Sequence, residues 1–532
     1  MSHHHQPFTL SPVLPHTDTS PEKGRMKHAL EHLLVKVQTP VPLVINGAEV
    51  RPQRTAEQRA AHRHAQLLGS VEQASAVELN AALDGAARVA PAWAALSFEQ
   101  RAAVAHRAAD LLRENWRATV GAAAMVGLGR TVMEAEHDAG ADLQDTLRHL
   151  AEQACALGHG YQPVTSTTHA HSTQFHAHAG VVLAWTGASS LTRGVAGVMA
   201  PLLAGAAVVW KPAQRAGWMG HFVWRVLREA GVPAGVLQYL PGPGATLLPA
   251  ALQHDAVTGI SFVGRPATFS AVTRAVGEAL PAHKRWPVIT ADLGGGGTMV
   301  ALPDTDVMTL AAASVRGAFG DAGQRPNAIS RLYLAASIHD LWRPTVMRLL
   351  REQRVGNIED FTTSMGPVMD ASTAERLKVL FDETRGNPAC KIIFGGRVDT
   401  TKAYVVEPTV VLTTDATSPV FARDPGGPVL AVHVFPDDAL PDVLKRLRQQ
   451  GGSTLSIFGR ERAGISLVEQ GTAGAFGTMW INGVPDSAAG RPWHRGVPGV
   501  VAPDVSAFAR ATSRLETYDP PYHHALPAMG AP

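Results

Sequence analysis

Two cysteines, Cys155 and Cys390, are all that 532 residues contain. A disulfide framework needs more thiols, so a stapled extracellular scaffold is excluded and a reducing cytoplasm is the expected setting. Charge is scarce too. Asp, Glu, Lys and Arg make up 17% of the chain and the net charge is +2. No field of that size draws in nucleic acid or an anionic membrane surface. Nor does any basic run carry interleaved aromatics of the kind a nucleic-acid groove uses. The opening residues, MSHHHQPFTLSPVLP, lack an apolar h-region, so no secretory signal is expected. A single stretch invites comparison with a membrane span, GVVLAWTGASSLTRGVAGVMAPLLAGAAVVW at 180–210. Thr192 and Arg193 interrupt it, and β-rich pieces open and close it. The pattern predicts strand–helix–strand in a buried core.

What is present is an apolar, alternating chain. Hydrophobic residues reach 45%, and the length exceeds what one simple core supports, so two or three domains are expected. Residues 1–25 are polar and Pro-rich and predict a loosely docked arm. Residues 76–118 and 120–158 predict long amphipathic helices. Strands then alternate with helices. VVLAW, AAVVW, VLQYL and GISFVG are each followed by a helical pattern, near 192–204, 217–230, 245–253 and 267–279. Such alternation predicts a parallel, doubly wound α/β sheet. A second alternating block follows VITADLGGGGTMVAL (288–302). Helices are expected near 306–319 and 337–353, and strands at KIIFGG, AYVVEPTVVL and GPVLAVHVF.

Seven segments stand in one order: GRTVMEAEHDAGADL, VVWKPAQRAGWMGHFVWRVLREAGVPAGVLQYLPG, GISFVGRPATF, ADLGGGG, GQRPNAISRLYL, VEPTVV and GPVLAVHVFPDD. Together they resemble the aldehyde dehydrogenase superfamily, and within it the Δ1-pyrroline-5-carboxylate (glutamate semialdehyde) dehydrogenases. The resemblance implies a Rossmann-like coenzyme domain (26–288, with an oligomerisation hairpin at about 163–180) and an α/β catalytic domain (289–482). An anchor loop and C-terminal oligomerisation segment (483–532) complete it. A homodimer or larger homo-oligomer is implied, and a mixed oligomer with an active relative is an open alternative.

The family's chemistry needs a cysteine thiolate, two oxyanion donors and a glutamate base. The nucleophile position falls on Pro326, which has neither a nucleophilic atom nor an N–H to donate. Its ring also restricts Arg325. The side-chain oxyanion donor falls on Thr186 and the base on Asp292. Asn327 takes the place of a substrate-binding serine, and Trp493, His494 and Arg495 that of the anchor's Phe-Gly-Gly. On the cofactor side, Lys211 matches the lysine that reaches the adenosine ribose, and Ala213 lacks the next ribose contact. Gly264 keeps the close-approach turn. Arg265 replaces the serine that meets the pyrophosphate, and Asp424 and Gly426 replace the glutamate and phenylalanine at the nicotinamide ribose. Each type of NAD(P) contact is thus partly eroded, and NAD(P) stays an open cofactor.

The histidine pattern of HAHSTQFHAH (169–178) owes nothing to the resemblance, which places the stretch in the assembly hairpin. On a hairpin, His169 and His171 would share a face opposite His176 and His178, a zinc or nickel geometry. Exposed histidines on an assembly hairpin are the competing reading, and no metal is expected. Three functions stay open: a non-oxidising enzyme binding a carbonyl or imine small molecule in the interdomain cleft, a catalytically dead scaffold or regulator, and a residual semialdehyde dehydrogenase.

Overall fold

The run VVLAWT forms the strand Val181–Thr186, every residue of it buried. Val182 and Ala184 enter one apolar core, while Val181, Leu183 and Trp185 enter another. A strand covered by helices on both faces reads as a continuous apolar run. The computed structural model describes residues 9–35, 40–159, 164–165, 169–282, 286–485 and 500–517. In it this strand is an interior strand, third in order, of a seven-stranded sheet. The order is Val288–Leu293, Val257–Gly264, Val181–Thr186, Ala207–Pro212, Leu237–Tyr239, Leu43–Ile45, Ala48–Val50. The first five strands are parallel; the last two form an antiparallel edge.

A second seven-stranded sheet runs Cys390–Phe394, Thr409–Thr413, Val429–Phe435, Ile329–Ala335, Gly297–Ala301, Gly452–Phe458, Phe476–Ile481. All its pairings are parallel except that of the edge strand Cys390–Phe394. It encloses a separate core around Trp342, Tyr333 and Phe421. The expected α/β fold with two sheet domains is therefore present. The 180–210 segment is strand, helix (Leu191–Ala204) and strand, and among the described residues no helix is long and apolar enough to cross a membrane.

Several expectations need correction. The strand Val288–Leu293 pairs with Val257–Gly264, so the first sheet extends past residue 288. The helical stretch 76–118 is broken: Ala76–Ala94, Phe98–Leu111, a widened turn at Leu112–Trp116, then Arg117–Leu128. Ser97 and Gln100 form a capping box that starts the second helix, because a hydroxyl that satisfies a free backbone N–H outweighs continuous Ala/Leu periodicity. Gly129 (φ +75°) ends the next helix, and Thr131 caps another. The arm is not loose over residues 9–20. Ser11 N–H donates to Asp145 at 2.9 Å and Leu14 N–H to Glu136 at 3.0 Å. The histidine run His169–His176 forms one strand, paired along its length with Arg510–Thr517 and at its start with Val164–Thr165. His178 is buried away from it. Its ring contacts Thr258 Oγ1 at 2.7 Å and the Phe508 carbonyl at 3.2 Å. Among the described residues no group of histidine, cysteine and acidic side chains has the makings of a metal site.

Candidate active site

Parallel strands leave their carboxyl ends open where the strand order reverses, and ligands of doubly wound sheets bind there. In the first sheet those ends carry Thr186, Gly264 and Asp292. Facing them are the segments that lead into the second sheet's strands, around Gly294–Gly295, Gln324–Pro326 and Asp424–Gly426. Between the two lies a cavity of about 720 Å³. Thr186, Gly264, Arg265, Asp292, Arg325, Pro326 and Asp424 all line it. Lys211 and Asn327 do not. Trp493, His494 and Arg495 lie outside the described residues.

Pro326 is fixed by close backbone packing. Its carbonyl accepts from Gly295 N–H at 2.6 Å and from Ser453 Oγ at 3.3 Å. A Cβ on Gly294 would sit 2.3 Å from the Pro326 Cβ, so only glycine fits beside the ring. Neither thiol is near. Cys390 Sγ lies 3.4 Å from Thr413 Oγ1, burial pushes the Cys155 thiol above its ordinary value, and neither residue lines the cavity.

Asp292, expected as the base, is buried and paired with Arg193. Arg193 Nε donates to it at 2.5 Å, and Nη2 makes a second hydrogen bond. Burial raises the carboxyl above its usual range and the Arg193 charge opposes that rise. The guanidinium fork engages both carboxylate oxygens. Among the described residues, buried Arg193 Nη1 has no hydrogen-bond partner. Thr186 Oγ1 accepts from the Trp210 indole at 2.8 Å and keeps its own proton to donate.

Arg325 is held from below. Its guanidinium pairs with Asp321, which also pairs with Arg130. Asp321 and the next residue, Ala322, have φ of +54° and +51°, a left-handed conformation that non-glycine residues avoid unless their surroundings impose it. Glu134 accepts from Asp321 N–H at 2.5 Å. Asp138 lies 3.6 Å from Arg130 and accepts from Leu191 and Thr192 N–H at the start of the helix Leu191–Ala204. Burial, with Asp321 adding to it, lifts Glu134 to about 7. Burial, with Asp138 adding to it, lifts Asp142 to about 8. Of this cluster sequence reading singled out Arg325 alone, and it did not see the pairing of Arg193 with Asp292. Its signal was available: acids and arginines set inside apolar helical runs, which a solvated face would not explain.

At the cofactor end, Lys211 Nζ lies 5.8 Å from the Trp185 ring centre, and burial lowers its pKa to about 8. Gly264 is tight: a Cβ there would meet the Phe262 ring at 2.8 Å. Asp424 accepts from Gly426 N–H at 3.1 Å.

The sequence pattern of the aldehyde dehydrogenase family matches residues 50–496. The chain belongs to that family. It is 32% identical over 480 residues to the mitochondrial Δ1-pyrroline-5-carboxylate dehydrogenase of Mus musculus, covering 89% of this chain and 84% of the relative. For the Homo sapiens enzyme the identity is 31%, covering 88% and 84%. The crystal structure of Δ-pyrroline-5-carboxylate dehydrogenase from Mycobacterium tuberculosis bound with NAD superimposes with a TM-score of 0.89 at 28% identity, covering 98% of both chains. At the end of the cleft where the resemblance places the pyrophosphate and nicotinamide ribose, Arg265 lines the cavity and Arg376 does not; the Arg265 guanidinium reaches to 3.3 Å of the point where a side chain at Gly426 would begin.

Proposed function

We propose that this family member does not oxidise aldehydes through a cysteine thioester, and that its cleft binds a carbonyl or imine compound without hydride transfer. The observation that carries this reading is Pro326 on the wall of a ligand-sized cavity, with no thiol among the residues that line it. A second feature supports it. The carboxylate expected to activate water is tied to Arg193. Loss of one oxyanion donor lowers turnover by about 10²–10³, and a proline cannot supply the backbone N–H.

The groups within the cleft suit polar recognition and proton movement. Thr186 has a hydroxyl to offer a carbonyl oxygen, and Arg325 is rigidly placed beside Pro326. Arg265 lines the end of the cleft where a dinucleotide's pyrophosphate would be expected, in place of the serine that the resemblance implies. One observation favours the scaffold reading instead: Asp292 is spent on an internal ion pair. In either case the protein is taken to be a cytoplasmic homo-oligomer, assembled through the strand Arg510–Thr517 and its neighbours.

The deciding experiment pairs two assays. Incubation with glutamate semialdehyde and NAD or NADP is expected to give no absorbance at 340 nm, even at high protein concentration. A thermal-shift screen of small carbonyl and imine compounds is expected to find a stabiliser; a ligand at 100 times its Kd adds about 2.7 kcal/mol. Coenzyme reduction would overturn the first half of the reading. A flat screen would leave the scaffold.

A further inference from the structure

A second cavity, of about 420 Å³, shares no lining residue with the cleft. Its volume falls in the range of small-molecule sites. The helix Pro21–Val35 packs against Arg117–Leu128 and supplies an apolar wall through Met26, Ala29 and Leu33. Gly121 permits the close crossing, since a Cβ there would lie 2.7 Å from Met26 Cε. Leu14 and His16 of the arm, the widened turn Leu112–Trp116, and Glu136 at the start of a second widened turn, Glu136–Asp142, close the other sides. Widened turns are rare and recur at functional sites. Among the described residues there are these two, and both contribute to this cavity.

Each carboxyl on its walls already has a guanidinium. Glu136 accepts from Arg117 Nε at 2.9 Å, Glu114 lies 3.1 Å from Arg113, and Glu22 lies 3.9 Å from Arg25. Hydrogen-bond donors are left over. Arg117, its side chain 9% exposed, spends Nε and Nη2 on Glu136 and on the Pro12 carbonyl. Its Nη1 makes no hydrogen bond to a described residue. Nor do the side chains of Asn115 and Thr119, four residues apart on the same side as Arg117 and also on the cavity wall. His28 and His32, one turn apart on the facing helix, add two imidazoles. His16 binds Glu136 through Nε2 at 3.3 Å, and among the described residues its buried Nδ1 has no partner. A guanidinium N–H, an amide and a hydroxyl beside an apolar wall match a carboxylate carried on an apolar body. A cation would meet three arginines whose acids are already paired. A second negative charge would meet Glu114 and Glu136.

We propose that this cavity is a second ligand site, separate from the cleft, that takes a small monocarboxylate with an apolar body. The carboxylate meets Arg117, Asn115 and Thr119, and the body lies against Met26, Ala29 and Leu33. Isothermal titration of the full chain with benzoate and its neutral counterpart benzamide tests it. Benzoate is expected to bind at least about tenfold more tightly than benzamide. Ala29→Trp fills the cavity from one helix and Ala118→Trp from the other, and each should abolish that binding. Arg265→Ala, in the cleft, should leave it intact. Hydrogen–deuterium exchange on the wild type locates the site without any substitution: benzoate should slow exchange within 21–35 and 112–119. No binding of benzoate, equal affinity for benzamide, or binding that survives both tryptophans overturns the site. So does binding that is lost in Arg265→Ala, or protection confined to 262–268 and 324–326, because the carboxylate would then occupy the cleft.

Discussion

Arg193 and Asp292 show how much one buried pair decides. Both side chains are largely withdrawn from solvent. Removing one partner of such a pair leaves an uncompensated charge, which costs about 3–5 kcal/mol, while replacing both with neutral groups costs far less. Arg193→Met should therefore lower the melting temperature markedly at pH 7, and Arg193→Met/Asp292→Asn should recover most of the loss. The sign with pH follows. Without Arg193, only burial acts on Asp292, so its folded-state pKa stays raised. Stability is then greatest where the carboxyl is protonated and falls as pH rises through that value. The single variant should lose less at pH 5 than at pH 7; equal loss at both would show that the charge of Asp292 is not the cause. A second prediction concerns Pro326. Pro326→Cys is expected to supply an alkylatable thiol yet no measurable NADH formation with glutamate semialdehyde, since Asp292 stays locked and Arg265 stays in place. Robust turnover by this variant would mean that the remaining groups are competent.

At the scale of elements, the cluster of Arg130, Glu134, Asp138, Asp142, Asp321 and Arg325 ties together the helical segment 131–142, the start of Leu191–Ala204 and the turn before Pro326. Four carboxyls face two guanidiniums, so protons make up part of the balance. Glu134 and Asp142 are raised to about 7 and about 8. For carboxyls raised in the folded state, the stabilising contribution is complete below the ordinary carboxyl range and is lost as pH climbs through 7 to 8. The melting temperature should accordingly fall between pH 6 and pH 9. Asp142 has no hydrogen bond or ion pair with a described residue, so Asp142→Asn removes the charge and no contact. It should stabilise the protein at pH 9 by on the order of 2 kcal/mol more than at pH 6 and change little near pH 4. A parallel displacement of both curves would rule out Asp142 as the titrating group. The positions of the strands were legible, because two-sided burial writes continuous apolar runs. Helix breaks at Ser97 and Gly129–Thr131 were legible in principle and were passed over in favour of periodicity.

For the whole molecule, the C-terminal segment returns to the first domain. Val501 accepts from Ala291 N–H at 2.8 Å, Phe508 is buried in the first core, and Arg510–Thr517 completes a small sheet with His169–His176 and Val164–Thr165. Deleting residues 510–532 should leave both large sheets folded while exposing an edge meant to be covered. The expected outcome is a smaller assembly by sedimentation with an unchanged far-ultraviolet circular dichroism spectrum. An unaltered mass would place the assembly contacts elsewhere.

The order of strands and helices, the two-domain architecture and the family were determined by the sequence itself, since they depend on apolar spacing and on motifs read within a few residues. So was the absence of sulfur at residue 326, a covalent fact that no packing can amend. Tertiary structure alone decided the rest. Arg193 reads as a break in a hydrophobic run until the fold sets Asp292 against it. Arg265 and Arg376 belong to different domains and come together beside Gly426 only in the folded chain. Local propensity acts through near neighbours, but the partner of a buried charge is chosen by whichever distant segment folding brings within hydrogen-bonding reach.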